Sequence, residues 1–358
     1  MNLYILNQSF QTVAVIDQYS SLIWTRRYWN CGDFELYLPA NSDLLQYLKI
    51  GYYIHREDCD CTMIIEKIDI KTDAENGNYF TVSGRSAESI LSYRICMGTG
   101  WGTNYPHFLC QVLISGAFDL EQKNTNRYAP EIGEFSGWTD DVGHIIWTGV
   151  YENSNLMDVV FSVCMEYGFS YKFVRNENKF DILFYSGSDR TLGQTEKTPV
   201  IFSPKYYNLI NSEYAYDISS EKTNALVVGG EDETRTVIWH PEGNQAKSGL
   251  KRREIYIDAK DLKKKKEDGS YYTADEFYQI LAQRGREKIA ETVALPTFSG
   301  EVDTTLQFIY RRDWDLGDIV TIENEYGMNA KARILEVIEV DDENGYKITP
   351  TLSDWEMI

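Results

Sequence analysis

One strand pattern occurs twice, near each end of this 358-residue chain. The first copy reads Leu48-Lys49-Ile50-Gly51-Tyr52-Tyr53-Ile54, then Ile64-Ile65-Glu66-Lys67-Ile68-Asp69-Ile70, then Glu75-Asn76-Gly77 and Tyr79-Phe80-Thr81-Val82. The second reads Leu316-Gly317-Asp318-Ile319-Val320-Thr321-Ile322, then Ile334-Leu335-Glu336-Val337-Ile338-Glu339-Val340, then Glu343-Asn344-Gly345 and Tyr346-Lys347-Ile348-Thr349. The middle blocks agree in residue type at almost every position, and each leads to an Asn-Gly, the dipeptide suited to a left-handed backbone in a tight hairpin. The segments Leu48–Val82 and Leu316–Thr349 are therefore expected to share strand order, with Glu66 equivalent to Glu336. Gly51, Gly77, Gly317 and Gly345 are expected at turn positions, with Asp318 beside the third. Such a duplication predicts a mainly β chain with two related β-barrel domains, and it sets the symmetry an oligomer can display.

The length predicts more than one domain. Hydrophobic residues make up 43% and aromatic residues 14%, enough for packed cores, and the 26 Tyr and 15 Phe favour β structure. A net charge of -20 argues against gripping nucleic-acid phosphates, although an acidic wall can surround DNA without holding it. Met1-Asn2-Leu3-Tyr4-Ile5-Leu6 has no preceding basic residue and is soon interrupted by Asn7-Gln8-Ser9, so no leader is expected. No apolar run reaches membrane-spanning length. The six cysteines, at 31, 59, 61, 96, 110 and 164, are too sparse for a disulfide scaffold and read as reduced thiols.

Residues 1–95 read as the first β-barrel domain. Thr12–Ile16, Leu22–Thr25 and Phe34–Leu38 are its early strands, with short helices over Ser42–Leu48 and Ser86–Arg94. Gly98-Thr99-Gly100-Trp101-Gly102 reads as a linker into an inserted α+β region, 96–205. That region is expected to hold a helix over Pro106–Phe118, a second capped by Asn153 or Ser154 and running to Tyr167, and a hairpin around Asn176-Glu177-Asn178. Residues 206–358 read as the second β-barrel domain. Thr273-Ala274-Asp275-Glu276 is a capping box opening a long helix near 273–293.

Chemistry is scarce. Cys59-Asp60-Cys61 with His55 could offer thiols to one ion, since i and i+2 share a strand face. It lacks a fourth ligand and a turn of the usual spacing, and half-buried strand residues explain it better. Ser219-Ser220-Glu221-Lys222 has an S-x-x-K spacing without the companion motifs of serine acyl enzymes. The glycine run at 98–102 departs from the dinucleotide fingerprint. Lys263–Lys266 reads as a solvated surface rather than a phosphate site. Trp101, Trp138 and Trp147 could stack on sugars but fit core or interface positions better. No catalytic set, cofactor site or metal site is expected.

The run Arg312-Asp313-Trp314-Asp315-Leu316-Gly317-Asp318-Ile319-Val320-Thr321-Ile322, followed by Ala332-Arg333-Ile334-Leu335-Glu336-Val337, resembles the closing segment of phage tail hub proteins. These include baseplate hubs of contractile tails and the N-terminal hub modules of tail-associated proteins in Gram-positive siphophages and prophages. Ser21–Tyr28, Gly32–Leu36, Ile64–Ile68 and Val82–Leu91 resemble the same family's opening. The likeness covers both ends and is weak over 96–205.

The resemblance implies a homotrimer with two related barrels per subunit at a virion tail tip, assembled in the host cytoplasm. It implies contacts with a distal tail or tail-tube protein, a tape-measure protein, and tip or fibre proteins, with DNA passing through the lumen and no stable membrane insertion. Many siphophage relatives continue into a peptidase or fibre, whereas this chain stops soon after Leu352, so no built-in lysin is expected. Two rivals remain: a receptor module using Trp and Tyr of the insert to bind host cell-wall glycans, and a cell-wall hydrolase using an unrecognised carboxylate pair.

Overall fold

Phe34, Leu36 and Leu38 are buried while Glu35 between them is exposed, the two-residue period of a strand with one face on a core. The computed structural model describes residues 1–40, 42–73, 77–96, 99–137, 145–151, 153–230, 234–239, 247–266, 269–293, 297–301, 307–326 and 329–357. The first region contains β1 (Leu3–Leu6), β2 (Thr12–Ile16), β3 (Ser21–Arg27), β4 (Asp33–Pro39), the short helix α1 (Ser42–Leu45), β5 (Tyr53–Arg56), β6 (Thr62–Asp73) and β7 (Gly77–Ser86). A 3-10 helix over Ala87–Tyr93 follows. Ser86 precedes it but does not cap it, because its hydroxyl accepts the Gly32 N–H at 2.8 Å instead.

The inserted region holds β8 (Thr99–Asn104), α2 (Pro106–Ala117), β9 (Ile132–Ser136), β10 (Ile145–Val150), α3 (Leu156–Tyr167), β11 (Ser170–Asn176) and β12 (Lys179–Tyr185). The glycine run is not a simple linker: Gly100 and Gly102 lie in β8, opposite Gly149 and Trp147 of β10. Helix α3 is capped by Asn155, whose side chain accepts the Met157 N–H at 2.9 Å, one residue beyond Ser154. Its core is continuous with the first region, since Leu6, Phe10, Tyr53 and Leu91 pack with Leu109, Val160 and Phe180.

The chain then passes through β13 (Asp189–Arg190), β14 (Ile201–Phe202) and β15 (Ile210–Ala215). A small α/β unit comes next: β16 (Asn224–Gly229), β17 (Thr234–Trp239), β18 (Glu254–Ala259) and α4 (Ala274–Ala290). The capping box at Thr273 and Glu276 is present, and α4 stops short of Val293. Strands β19 (Thr297–Glu301), β20 (Ile319–Glu323), β21 (Asn329–Asp342) and β22 (Gly345–Met357) complete the structure.

One sheet dominates, in the order β15-β19-β22-β21-β3-β4-β7-β6-β5-β1-β2, with β20 on β21 and the short β13 and β14 parallel to β20. The fold is thus mainly β with an α+β insert. The two related units share this sheet through the antiparallel pair β3–β21, and closure of either into a barrel is not among the described pairings. Residues 206–358 hold more than one β-unit, because β16–β18 and α4 have a core of their own.

Each repeat is an antiparallel meander, β5-β6-β7 and β20-β21-β22. Gly51 N–H donates to Ile65 O and Gly317 N–H to Ile334 O, both at 2.8 Å. A bulge follows at once in each middle strand, between Ile65 and Lys67 and between Ile334 and Glu336. Ile65 therefore corresponds to Ile334, which makes Glu66 equivalent to Leu335 and Lys67 equivalent to Glu336. The residue-type match read along the sequence runs one position out of step with the backbone, a slip that two bulged strands of similar composition permit.

The four turn glycines all have a left-handed backbone: Gly51 at φ +80°, Gly77 at +82°, Gly317 at +90° and Gly345 at +103°. Asn76 lies outside the described residues. In the second hairpin Glu343 and Asn344 form the turn and Gly345, paired with Asp342, carries the positive φ. At Gly317 a Cβ would lie 2.3 Å from Cε2 of buried Tyr28, whereas at Gly345 it would meet nothing within 4 Å. Gly345→Ala should cost about 1 kcal/mol, the backbone penalty alone. Gly317→Ala should cost roughly 3 kcal/mol, because a clash with a packed ring is added. Urea unfolding of both variants checks the difference, and equal losses would mean that Tyr28 moves aside freely.

Candidate assembly surface

Strand parity puts two charges where the core should be. In β5, Ile54 and Arg56 share the inward face, and in β21, Val337 and Glu339 do. Arg56 is 0% exposed and Glu339 2%. Arg56 Nη2 donates to Glu339 Oε2 at 2.9 Å and to Asp58 Oδ2 at 2.7 Å, and its Nε donates to Asp58 Oδ1 at 3.0 Å. Arg311 Nη2 donates to Glu339 Oε1, and its Nη1 bonds Asp58 Oδ2 at 3.0 Å. Tyr346 donates to Glu339 from β22, and the Arg56 guanidinium lies 5.2 Å from the Trp24 ring of β3. Burial would raise the Asp58 carboxyl, but the hydrogen bond and charge of Arg56, then Arg311, hold it below the usual range. Its contribution is present above the ordinary carboxylate range and is lost as pH falls through the lowered value.

Cys59 and Cys61 adjoin this cluster, both buried, with the Cys61 N–H donating to Cys59 Sγ at 3.3 Å. A side-chain hydrogen bond from the Cys61 thiol lowers the Cys59 thiol against the effect of burial, helped by Arg26, Arg311 and Arg56, while Cys61 is pushed up. His55 shares a 3.1 Å contact with Thr62 Oγ1, and burial lowers its pKa. Among the described residues no three His, Cys, Asp or Glu side chains are placed to hold a metal ion.

Glu66 and Glu336 lie on the opposite, outward face. Glu66 receives both Nε and Nη2 of Arg85 at 2.8 and 2.7 Å, an ion pair within one meander. Glu336 accepts from Arg27 Nε at 2.6 Å, and Arg27 Nη1 also reaches Asp33 at 2.5 Å, so this pair crosses between units. Asp33 sits directly opposite Arg85 in the β4–β7 register. A stripe of alternating charge thus runs Glu336, Arg27, Asp33, Arg85, Glu66 across β21, β3, β4, β7 and β6. Asp318 instead ties β20 to β13, accepting Ser188 N–H and Arg190 Nε, both at 2.7 Å, and Asp315 N–H at 3.0 Å.

Among the described residues, β15 and β2 are the end strands of the large sheet, each paired on one side. Beside the first, Tyr206, Tyr207, Ile210, Tyr214, Tyr216 and Ile218 are exposed, and Val15 is exposed on β2. An edge strand with exposed apolar side chains is a ready template for another chain.

The remaining candidates do not converge. Ser219 N–H donates to Asp217 and Lys222 N–H to Thr292, and among the described residues no bond joins the Ser219 hydroxyl to the Lys222 amine. Lys266 lies 4.7 Å from the Tyr272 ring and 3.6 Å from Glu276, and Lys264 lies 5.6 Å from the Phe277 ring, so two of the four lysines fold back on their own unit. Trp138 and the side chains of Trp101 and Trp147 lie outside the described residues. Sequence reasoning did not single out Arg56, Glu339 or Tyr28. The signal available for the first two was a charge in the inward phase of a strand.

This fold, two meanders in one sheet with an α+β insert, is similar to that of solved tail proteins. The structure is similar to a tail protein from Neisseria meningitidis, with TM-score 0.58, 10% identity and coverage of 98% of this chain and 96% of the other. It is similar to the 43 kDa tail protein of prophage MuSo2 from Shewanella oneidensis, with TM-score 0.55, 10% identity and 98% of each chain covered. Prophage tail protein gp18 from Listeria monocytogenes gives TM-score 0.54 and 11% identity over 99% of this chain and 94% of that one. Residues 2–352 match the Siphovirus ReqiPepy6 Gp37-like protein family, and the chain belongs to it. No curated protein matches the sequence.

Removing Glu339 takes an acceptor from fully buried Arg56 and partly buried Arg311 and leaves them Asp58, whereas removing Glu336 frees a half-exposed arginine. Glu339→Ala should therefore cost about 3–5 kcal/mol, and Glu336→Ala under about 1 kcal/mol. Denaturant unfolding of the two variants tests this ranking.

Proposed function

We propose that this protein is the structural hub of a phage or phage-like tail tip, acting by assembly and not by catalysis. Three copies form a ring in which two meanders per subunit supply six similar positions around the axis. Such a ring mates with a six-fold tail tube on one face and a three-fold tip on the other. The observation that carries this reading is that one sheet holds two meanders with the same glycine-anchored bulge, joined through β3 and β4 by the pair β3–β21. Membership of a siphovirus protein family and the fold of prophage tail proteins support it.

The end strands β15 and β2, each paired on one side among the described residues, are the surfaces through which subunits would meet. The neighbours are a distal tail or tail-tube protein, a tape-measure protein, and tip or fibre proteins. The site of action is the virion tail tip, with assembly in the host cytoplasm. At a net charge of -20, the ring's lumen repels DNA phosphates and lets DNA or tape-measure protein pass without sticking.

The same charge opposes association of isolated copies, so the trimer should form at high protein concentration and be favoured by added salt, which screens the repulsion. Sedimentation across both variables should show a monomer–trimer equilibrium shifting toward trimer with salt. A monomer under every condition, with no three-fold ring in assembled particles, would sink the hub reading.

A further inference from the structure

The unit of β16, β17, β18 and α4 packs around Ala225, Val227, Ile257, Phe277 and Leu281, a core separate from the other three. Its contact with α3 is polar. Gln283 Nε2 donates to Glu287 Oε1 at 2.9 Å on α4 and to Glu166 Oε2 at 3.2 Å on α3. The Tyr151 hydroxyl donates to Glu287 Oε1 at 2.9 Å, and the Ser162 hydroxyl to Glu291 Oε1 at 2.7 Å. Glu166 and Glu287 are nearly buried, and each lies in the last turn of its helix, where the carbonyl end disfavours negative charge.

The cations nearby are committed or distant. Arg286 Nε stays 3.9 Å from Glu166 while its Nη2 donates to Gln283 Oε1; Lys288 pairs with Glu291 at 2.8 Å; Arg284 pairs with Asp261 at 3.0 Å. Tyr167 adds a hydrogen bond to Glu166. Strand β10, which also packs on α4, carries no titratable residue in Ile145–Val150.

We propose that the α3–α4 contact is a pH-dependent hinge: the α/β unit is clamped on the insert while Glu166 and Glu287 hold protons, and loosens when both ionise. A protonated carboxyl removes the repulsion and can itself donate across the contact, whereas two carboxylates bridged by the one Gln283 amide repel each other. Burial, then the charge of Glu287, raises Glu166 to about 7, and burial raises Glu287 despite the bonds from Gln283 and Tyr151. For a raised carboxyl the undocked state loses its proton first. Docking therefore weakens as pH climbs from the ordinary carboxylate range through about 7, and the loss is complete above it. This inference goes beyond the hub reading and does not depend on it.

Hydrogen–deuterium exchange on the full chain, expressed as protection factors to remove intrinsic pH effects, tests it at about pH 5.5 and about pH 8.5. Protection of α3 and α4 should fall roughly tenfold at the higher pH while β3 and β21 hold steady, a change of about 1.4 kcal/mol in opening. Glu166→Gln with Glu287→Gln should keep protection high at both values. If the double variant does not fold, Glu166→Gln alone should at least halve the pH response. Equal protection of the native chain at both pH values, or an unchanged response in the folded variant, would overturn the hinge.

Discussion

The pair β3–β21 holds the two halves of this chain in one sheet, and a buried charge cluster sets its register. Glu339 of β21 sits opposite Trp24 of β3, and Arg56 reaches Glu339 while lying against that same indole. A slip of one residue would turn Glu339 to the outer face and leave buried Arg56 and partly buried Arg311 with Asp58 as their remaining acceptor. Desolvating such ions costs several kcal/mol each, so the cluster adds little net stability over an apolar core. Its effect is discrimination: the native register satisfies the charges and the neighbouring registers do not.

Tyr28, immediately after β3, extends the same logic to the insert. Its N–H donates to Leu335 O at 2.8 Å, its hydroxyl donates to Gly168 O at 3.2 Å, and its carbonyl accepts the Ser170 hydroxyl. The ring packs edge-on to Tyr185 at 5.6 Å and lies 5.4 Å from the Arg333 guanidinium. Three parts of the chain therefore close around one side chain. The backbone there is crowded further, since a Cβ on Gly187 would fall 1.7 Å from Gly317 O. Glycine at 317 answers two demands at once, a left-handed φ and room for a ring.

Local signals made much of this legible. The capping box at Thr273 and Glu276, the hairpin of β11 and β12, and the period-two strands of the first region all appear where spacing placed them. The repeat was visible as composition and turns, but its alignment was not, because a bulge shifts phase without a residue that announces it. The α/β unit was missed for a different reason: its strands β16 and β18 run parallel, and only long-range pairing reveals that they share a sheet. The charge cluster required knowing that Arg56 and Glu339, 283 positions apart, face one another.

The two meanders agree in backbone and differ in charge. Glu66 finds its arginine on the next strand of its own meander, while Glu336 must take Arg27 from the other unit. The outward ion pairs therefore differ between the two meanders although both carry the glycine-anchored bulge. In the ring we propose, the six positions are alike to a partner that reads strand edges and glycine-anchored turns. They alternate for a partner that reads surface charge, because one meander of each subunit carries an intra-unit pair and the other a bridging one. Backbone likeness suits a six-fold neighbour and side-chain difference suits a three-fold one, so a single duplicated chain can meet both without a second gene product between them.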